Sequence, residues 1–331
     1  MSAQTSGPRY RPLAFGVTRV VVRESDGHTY ARADQTLGEH VPRITDRLTH
    51  WATVAPERPF LARRAQNADG TRGDWRVVTY GEALAAVRSI GRALLDAGAS
   101  VDRPLAILSE NSIEHALLGL GAMYVGVPYC PVSTPYSLVS QDFEKLRHVL
   151  GTITPGVVYA ADLARYSRAI NATVAADIPV VCDDPAAGSR TAGKVVALAD
   201  WLATQPTAAV DAAHAATGPD TIAKFLFTSG STKLPKAVIN TQRMLCANQQ
   251  QMRQSMPVLA DADNPPVLVD WLPWNHTFGG NHNFGMVLYN GGTLYIDDGK
   301  PTAALMHETL RNLREVAPTL YFNVPNGFEL I

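Results

Sequence analysis

Hydrophobic and polar positions in this chain fall into blocks whose period changes, and each change marks an element. In "VTYGEALAAVRSIGRALLDAGAS", Leu84, Val87, Ile90 and Leu94 share one face at helical spacing. Thr79 and Glu82 stand at capping-box spacing, and Gly98 supplies a stop. "PLAILSEN" reads as a short apolar strand, Asn111 with Glu114 opens the next helix, and Gly126 leads into the strand "VPYCPV". The pattern then predicts a helix over 140–150, the strand "GVVYA", a helix over 162–175 and the strand "IPVVCD". After an irregular stretch, 184–219, come the strand "TIAKFLF", a polar loop, the strand "AVIN" and a helix through "RMLCANQQQMRQ". The strands "PVLVDWL" and "GTLYI", a helix through "AALMHETLRNLRE" and a strand "TLYFNV" complete the order.

Strands that alternate with helices of this length imply an α/β fold, here two packed lobes with mainly parallel sheets flanked by helices. The Ala-, Thr-, Pro- and Asp-rich stretch 204–220 is the expected break. It gives a first lobe over 40–210 and a second over 211–331. Residues 1–39 form an N-terminal arm, expected to pack on the first lobe or stay mobile.

Composition narrows the function classes. With 331 residues, 46% hydrophobic, 18% charged and a net charge of −1, the chain has no global field to attract nucleic acid or an anionic membrane. Cys130, Cys182 and Cys246 are far apart, which fits a reducing compartment and argues against a disulfide framework or a zinc knuckle. The start, "MSAQTSGPRYRPLAFG", lacks the apolar core of a signal peptide, so the expected setting is cytoplasmic. The charge-free run 116–139 is interrupted by Gly119, Gly121, Gly126, Pro128, Pro131 and Pro135, and reads as a buried helix, a strand and a loop.

The loop "TSGSTKLPKA" follows a buried strand. Thr228, Ser229, Ser231 and Thr232 bring hydroxyls, Gly230 lets backbone N–H groups turn toward a ligand, and Lys233 and Lys236 add positive charge. That chemistry suits a polyphosphate, although an ordinary polar surface turn has a similar composition. The Walker A spacing is absent.

The order of residues in this loop resembles the phosphate-binding signature of the acyl-adenylate-forming (AMP-binding) enzymes, Thr-Ser-Gly-Ser/Thr-Thr-Gly-x-Pro-Lys-Gly, at seven of its nine specified positions. "VTYGEA", "GAMYVGVPYCPVS", "WLPWNHTFGG" and "PTLYFNVPNGFEL" resemble further segments of that family, so the likeness runs over about residues 40–331. "FTSGSTKLPKAVINTQRML" and "DWLPWNHTFGGNHNFG" look most like bacterial feruloyl-CoA synthetases, with Lys233 and Ala237 where the general pattern has glycine. Gln242 also replaces the histidine that commonly follows the family's threonine.

The resemblance implies activation of an aromatic, hydroxycinnamic acid by ATP and Mg²⁺ to an acyl-adenylate, then transfer to coenzyme A. Thr228, Ser229, Gly230, Ser231, Thr232, Lys233 and Lys236 would hold the ATP phosphates, with Thr232 also at Mg²⁺. Lys236 and His276 would be catalytic. Phe278, Gly279, Gly280, Asn283 and Val324 would join His276 in lining the acid site, the glycines leaving room for a flat ring. Without the resemblance, a packed, hydrogen-bonded histidine at a strand end is the favoured reading of His276. A metal pair with His282 is excluded by spacing and by the lack of adjacent acidic or cysteine ligands.

The family's adenine segment, ribose-binding Asp and catalytic Lys follow the last motif matched here, so the chain alone is expected not to complete the cycle. "TYGEA" at Thr79–Ala83 is a helix start and precedes the loop, whereas the family's adenine motif follows it. The other readings are a ligase for fatty or benzoic acids, and a non-catalytic remnant that retains a phosphate loop.

Overall fold

A computed structural model describes residues 13–16, 19–67, 69–228 and 234–331. Its strands in chain order are β1 (Val20–Ser25), β2 (His28–Ala33), β3 (Pro59–Gln66), β4 (Arg72–Thr79), β5 (Leu105–Leu108), β6 (Tyr129–Pro131) and β7 (Val157–Ala160). They continue with β8 (Val180–Cys182), β9 (Val195–Ala197), β10 (Ile222–Thr228), β11 (Lys236–Thr241), β12 (Val267–Asp270) and β13 (Thr293–Ile296). Among the described residues the larger sheet has the order β11-β10-β6-β5-β7-β8-β9 and the smaller β12-β13-β3-β4. The larger is parallel from β10 to β9, the smaller from β12 to β3. Each carries one antiparallel edge strand, β11 and β4 respectively.

The most apolar runs occupy the centre, as a sheet covered on both faces requires. Every residue of β5, β7 and β8 is buried. One core cluster contains Leu105 and Ile107 of the larger sheet together with Phe60, Leu294 and Ile296 of the smaller. The same cluster takes in the helix Tyr80–Asp96, whose buried face includes Ala83, Val87, Ile90 and Leu94. The Thr79 hydroxyl accepts from the Glu82 N–H, and the Glu82 carboxylate accepts from the Thr79 N–H at 2.8 Å, completing the expected capping box. Gly98 ends this region with φ +73°.

Several expectations are corrected. Sheet membership crosses the 204–220 boundary: β3, from the early part of the chain, pairs with β13 and carries β4 with it, while β10 pairs with β6. The expected linker contains the helix Ala208–Ala216, since alanine favours helix over coil; it buries Val210, and Arg88 of the helix Tyr80–Asp96 clamps its Asp211 at 2.6 and 3.0 Å. Ser112, not Asn111, caps the helix Ile113–Tyr124, accepting from the His115 N–H at 3.0 Å. The helix expected over 140–150 starts later, as Glu144–Ile153 after Phe143 at φ 55°, and a short helix, Pro135–Leu138, precedes it. The expected strand 319–324 is reduced to a bridge between Leu320 and Leu268, followed by the helix Pro325–Glu329.

The described part of the N-terminal arm holds the β1–β2 hairpin, exposed over nearly its whole length. It is tied not to the first lobe but to the helix Gln242–Ser255: the Gly16 N–H donates to Ser255 O, and the Gln254 amide bonds Thr36 O and the Gly38 N–H. No helix among the described residues is long and apolar enough to cross a membrane.

Candidate active site

The loop that dominates the sequence joins β10 to β11, so its two limbs form an antiparallel pair whose last partners are Thr228 and Lys236. Both are exposed. Ser229, Gly230, Ser231, Thr232 and Lys233 lie outside the described residues. Pairing is regular from Lys224↔Asn240 through Leu226↔Val238 to Thr228↔Lys236. Because side chains alternate along a strand, these three pairs share one face of the sheet. Phe225 and Phe227 point the other way, toward the helix Glu144–Ile153. From that helix, the His148 Nε2–H donates to Pro235 O at 2.9 Å and fixes the outgoing limb of the loop.

On the Lys224 face sits the segment containing His276. β12 ends at Asp270, the chain crosses Leu272–Asn275, and a π-helical turn, Phe278–Asn283, runs into the helix Phe284–Asn290. Both sheets hold this turn. The Lys224 Nζ donates to Gly280 O at 2.9 Å and lies 3.4 Å from the Tyr129 hydroxyl. Asn240, the register partner of Lys224, accepts at 2.9 Å from the Asn281 amide, and the Gln249 amide donates to Asn281 O at 2.7 Å. From the smaller sheet, Asp270 Oδ1 accepts from the Leu272 N–H at 3.2 Å and from the Asn283 amide at 3.0 Å. Asn111, released from the expected capping role, spans the sheets instead: its amide donates to Leu272 O at 2.8 Å and accepts from the Trp274 N–H at 3.0 Å.

Burial governs the charges beneath the turn. Lys224 is 2% exposed, and desolvation lowers its ammonium pKa to about 7. Asp270 is also 2% exposed; burial, aided by nearby Asp297, raises its carboxyl pKa to about 7 against its two hydrogen bonds, and its Oδ2 has no partner. His115 is packed edge-on to Trp274, and burial lowers its pKa to about 4, so its ring is neutral at neutral pH.

The expected acid-site residues separate into two groups. His276 and Phe278 are exposed; Phe278 stacks on His282 with ring centroids 4.6 Å apart, and Phe322 meets both rings edge-on. Val324, half-buried, begins the short helix Pro325–Glu329 close behind Phe322 in the chain. Gly279, Gly280 and Asn283 are buried. A Cβ at Gly279 would collide with the carbonyls of Leu272 and Pro273, and one at Gly280 with that of Trp274. These glycines therefore permit close approach of the turn to its own preceding loop, a correction to the expectation of space for a ring. The side chain of Asn283 is occupied by Asp270 and by His282 Nδ1, 2.8 Å from its Oδ1.

Sequence reasoning missed Lys224, Asp270, His282 and Phe322. The first two sit in apolar strands, and the other two depend on contacts across 40 residues of chain. A cleft of about 250 Å³ opens between the carboxyl ends of β5, β12 and β13, with Asn111, His115, Trp274, Asn275 and Asp298 among its lining. Lys300 bonds Glu110 at 2.9 Å, both of them also lining this cleft. Among the described residues no group of three His, Cys, Asp or Glu could hold a metal ion.

The family described as AMP-binding enzyme matches residues 48–331. Among curated proteins the chain is 27% identical over 262 residues to a 3-[(3aS,4S,7aS)-7a-methyl-1,5-dioxo-octahydro-1H-inden-4-yl]propanoyl:CoA ligase of Rhodococcus jostii, covering 76% of this chain and 49% of that protein. It is 26% identical over 250 residues to a 4-hydroxybenzoate–CoA/benzoate–CoA ligase of Rhodopseudomonas palustris, covering 76% and 43% respectively. A 3-hydroxybenzoate–CoA ligase of Aromatoleum is 26% identical, with 81% and 47% covered. The chain thus spans about half the length of these curated relatives. Among solved structures, VinN in complex with L-aspartate superposes with a TM-score of 0.66 at 20% identity, over 88% of this chain and 64% of that one. A fatty acyl-adenylate ligase from L. pneumophila, solved with acyl adenylate and pyrophosphate, gives 0.59 at 17% identity, over 83% and 42%. The two structures share the α/β fold described above, and the match over residues 48–331 makes the chain a member of the AMP-binding enzyme family.

Proposed function

We propose that this chain carries the carboxylate-activating site of an ATP-dependent acid–CoA ligase for a flat aromatic acid of the feruloyl, hydroxycinnamic type. The observation that carries the reading is the shared face: Thr228 and Lys236 stand at the open end of the β10–β11 pair, on the side of the sheet to which the turn after His276 is bonded. A free carboxylate is a poor acyl donor because its leaving group would be oxide. In this reading one carboxylate oxygen attacks the α-phosphorus of MgATP, the bond to the bridging oxygen breaks, and pyrophosphate departs with the electron pair. The thiol of CoA then attacks the acyl carbon, loses its proton to solvent, and AMP departs.

The chain's part is positioning and electrostatics. Thr228, Ser229, Gly230, Ser231 and Thr232 would offer hydroxyls and N–H groups to the phosphates, Lys233 and Lys236 would offer charge, and Thr232 would supply a hydroxyl oxygen to the Mg²⁺ that arrives with ATP. His276 seats the carboxylate against the α-phosphate. The stacked Phe278 and His282 with Phe322 offer an aromatic surface for the ring, bounded by Val324. Gly279, Gly280 and Asn283 act behind that surface by fixing its backbone. A hydroxybenzoate is the second candidate, favoured by the names of two relatives. The three buried free cysteines fit a cytoplasmic setting.

The test is acid-dependent exchange of pyrophosphate into ATP by the whole encoded polypeptide, with ferulate, 4-hydroxybenzoate and a fatty acid compared. Ferulate is expected to support the fastest exchange. Lys236→Ala is expected to lower it about 30-fold, the loss of roughly 2 kcal/mol from one charge-assisted phosphate contact. Absence of exchange with every acid would overturn the reading.

A further inference from the structure

A buried ammonium without a carboxylate partner destabilises a fold, and replacing such a group by an apolar side chain is commonly neutral or stabilising. Lys224 is such a group. Its contacts are Gly280 O at 2.9 Å, the Tyr129 hydroxyl at 3.4 Å and the Tyr129 ring, whose centroid lies 5.6 Å away. The other titratable group that bears on it is His115, neutral at neutral pH. What the ammonium does is local: it joins the strand that enters the loop at Thr228 to the backbone of the turn that follows His276. Its cross-strand partner Asn240 grips the next residue, Asn281, so adjacent strands hold adjacent residues of one turn.

We propose that Lys224 is a positioning residue that couples the β10–β11 hairpin to the His276 turn, so that the nucleotide end and the acid end of the site move as one body. The proposal rests on the function read above for its ligands, but the tether itself is a property of the free protein. Two of its features point to coupling rather than to packing. The bond goes to a backbone carbonyl of the turn, which sets the position of the chain there irrespective of side chains. It also leaves from the same face as Thr228 and Lys236, four residues along the strand from Thr228.

The experiment is hydrogen–deuterium exchange on the free protein and with MgATP, comparing the natural chain with Lys224→Met and Lys224→Gln. Methionine keeps the apolar stem and removes the donor; glutamine keeps an N–H donor on a shorter arm. In Lys224→Met, amides of the turn 278–283 are expected to exchange roughly tenfold faster, the factor for one charge-assisted hydrogen bond, at unchanged or higher unfolding temperature. Lys224→Gln should recover part of the protection. MgATP should slow exchange in 278–283 in the natural chain and not in Lys224→Met, while slowing 225–228 and 236–240 in both. Unaltered basal exchange of the turn in both variants, or nucleotide-induced protection of the turn that survives in Lys224→Met, would overturn the proposal. If MgATP protects nothing in the natural chain, the functional reading fails, and the basal exchange still decides the tether.

Discussion

At the residue scale, Lys224 and Asp270 hold the same turn from different sheets, and burial drives both toward neutrality. Their effects on stability have opposite pH dependence. Asp270 titrates near about 3.9 in the unfolded chain and near 7 when folded, so between those values the native state holds more protons and stability falls as pH rises. Lys224 titrates near 7 when folded and about 10.4 when unfolded; between those values the unfolded state holds more protons, and stability rises with pH. The two contributions together are least favourable around neutrality. Asp270→Asn, which mimics the protonated acid while keeping an acceptor for Leu272 and Asn283, is expected to raise the unfolding temperature by a few degrees at pH 8 and hardly at all at pH 4. Calorimetry at the two pH values checks this. An equal gain at both would mean that Asp270 titrates normally.

At the scale of the element, the π-helical turn depends on contact between its backbone and the loop that leads into it. Gly280→Ala puts a methyl group against the Trp274 carbonyl, with an expected loss of about 1–3 kcal/mol in chemical denaturation. An unaffected midpoint would show that the turn has room to shift. No sequence period signals such a turn, because "TFGGNHN" carries neither the 3.6-residue spacing of an α-helix nor the alternation of a strand. The helix Tyr80–Asp96 was legible for the opposite reason: its cap, its apolar stripe and its glycine stop agree. β3 and β4 escaped because "PFLARRAQ" and "RGDWRVVT" place arginines where a strand pattern would be sought; Arg64 is nonetheless buried, its guanidinium bonded to Asn312 and Glu315. Thr228 and Lys236 were legible from the order of the loop motif. Lys224 was not, since in "TIAKFLF" a lysine gains its character only from the depth at which the strand is buried.

At the scale of the whole molecule, the sheets are threaded by both ends of the chain. The boundary expected at 204–220 fails because strand partnership is non-local: β3 lies beside β13, more than 200 residues away, and that pairing belongs to the cluster shared with the larger sheet. Denaturant unfolding is therefore expected to be one transition, coincident by far-ultraviolet circular dichroism and by tryptophan fluorescence. Two separated transitions would restore two independent lobes.

The regular pairing from Lys224 to Thr228 also limits how the gene can change in length. Removing one codon between these positions would turn Thr228 to the opposite face, toward the helix bearing His148, while leaving the composition of the strand almost the same. Removing two would restore the face and draw the loop back by about 6.6 Å, out of reach of its former position. Length changes between Lys224 and Thr228 are thus expected to be absent from functional variants, and the even separation of these two residues is a property that natural variants must keep.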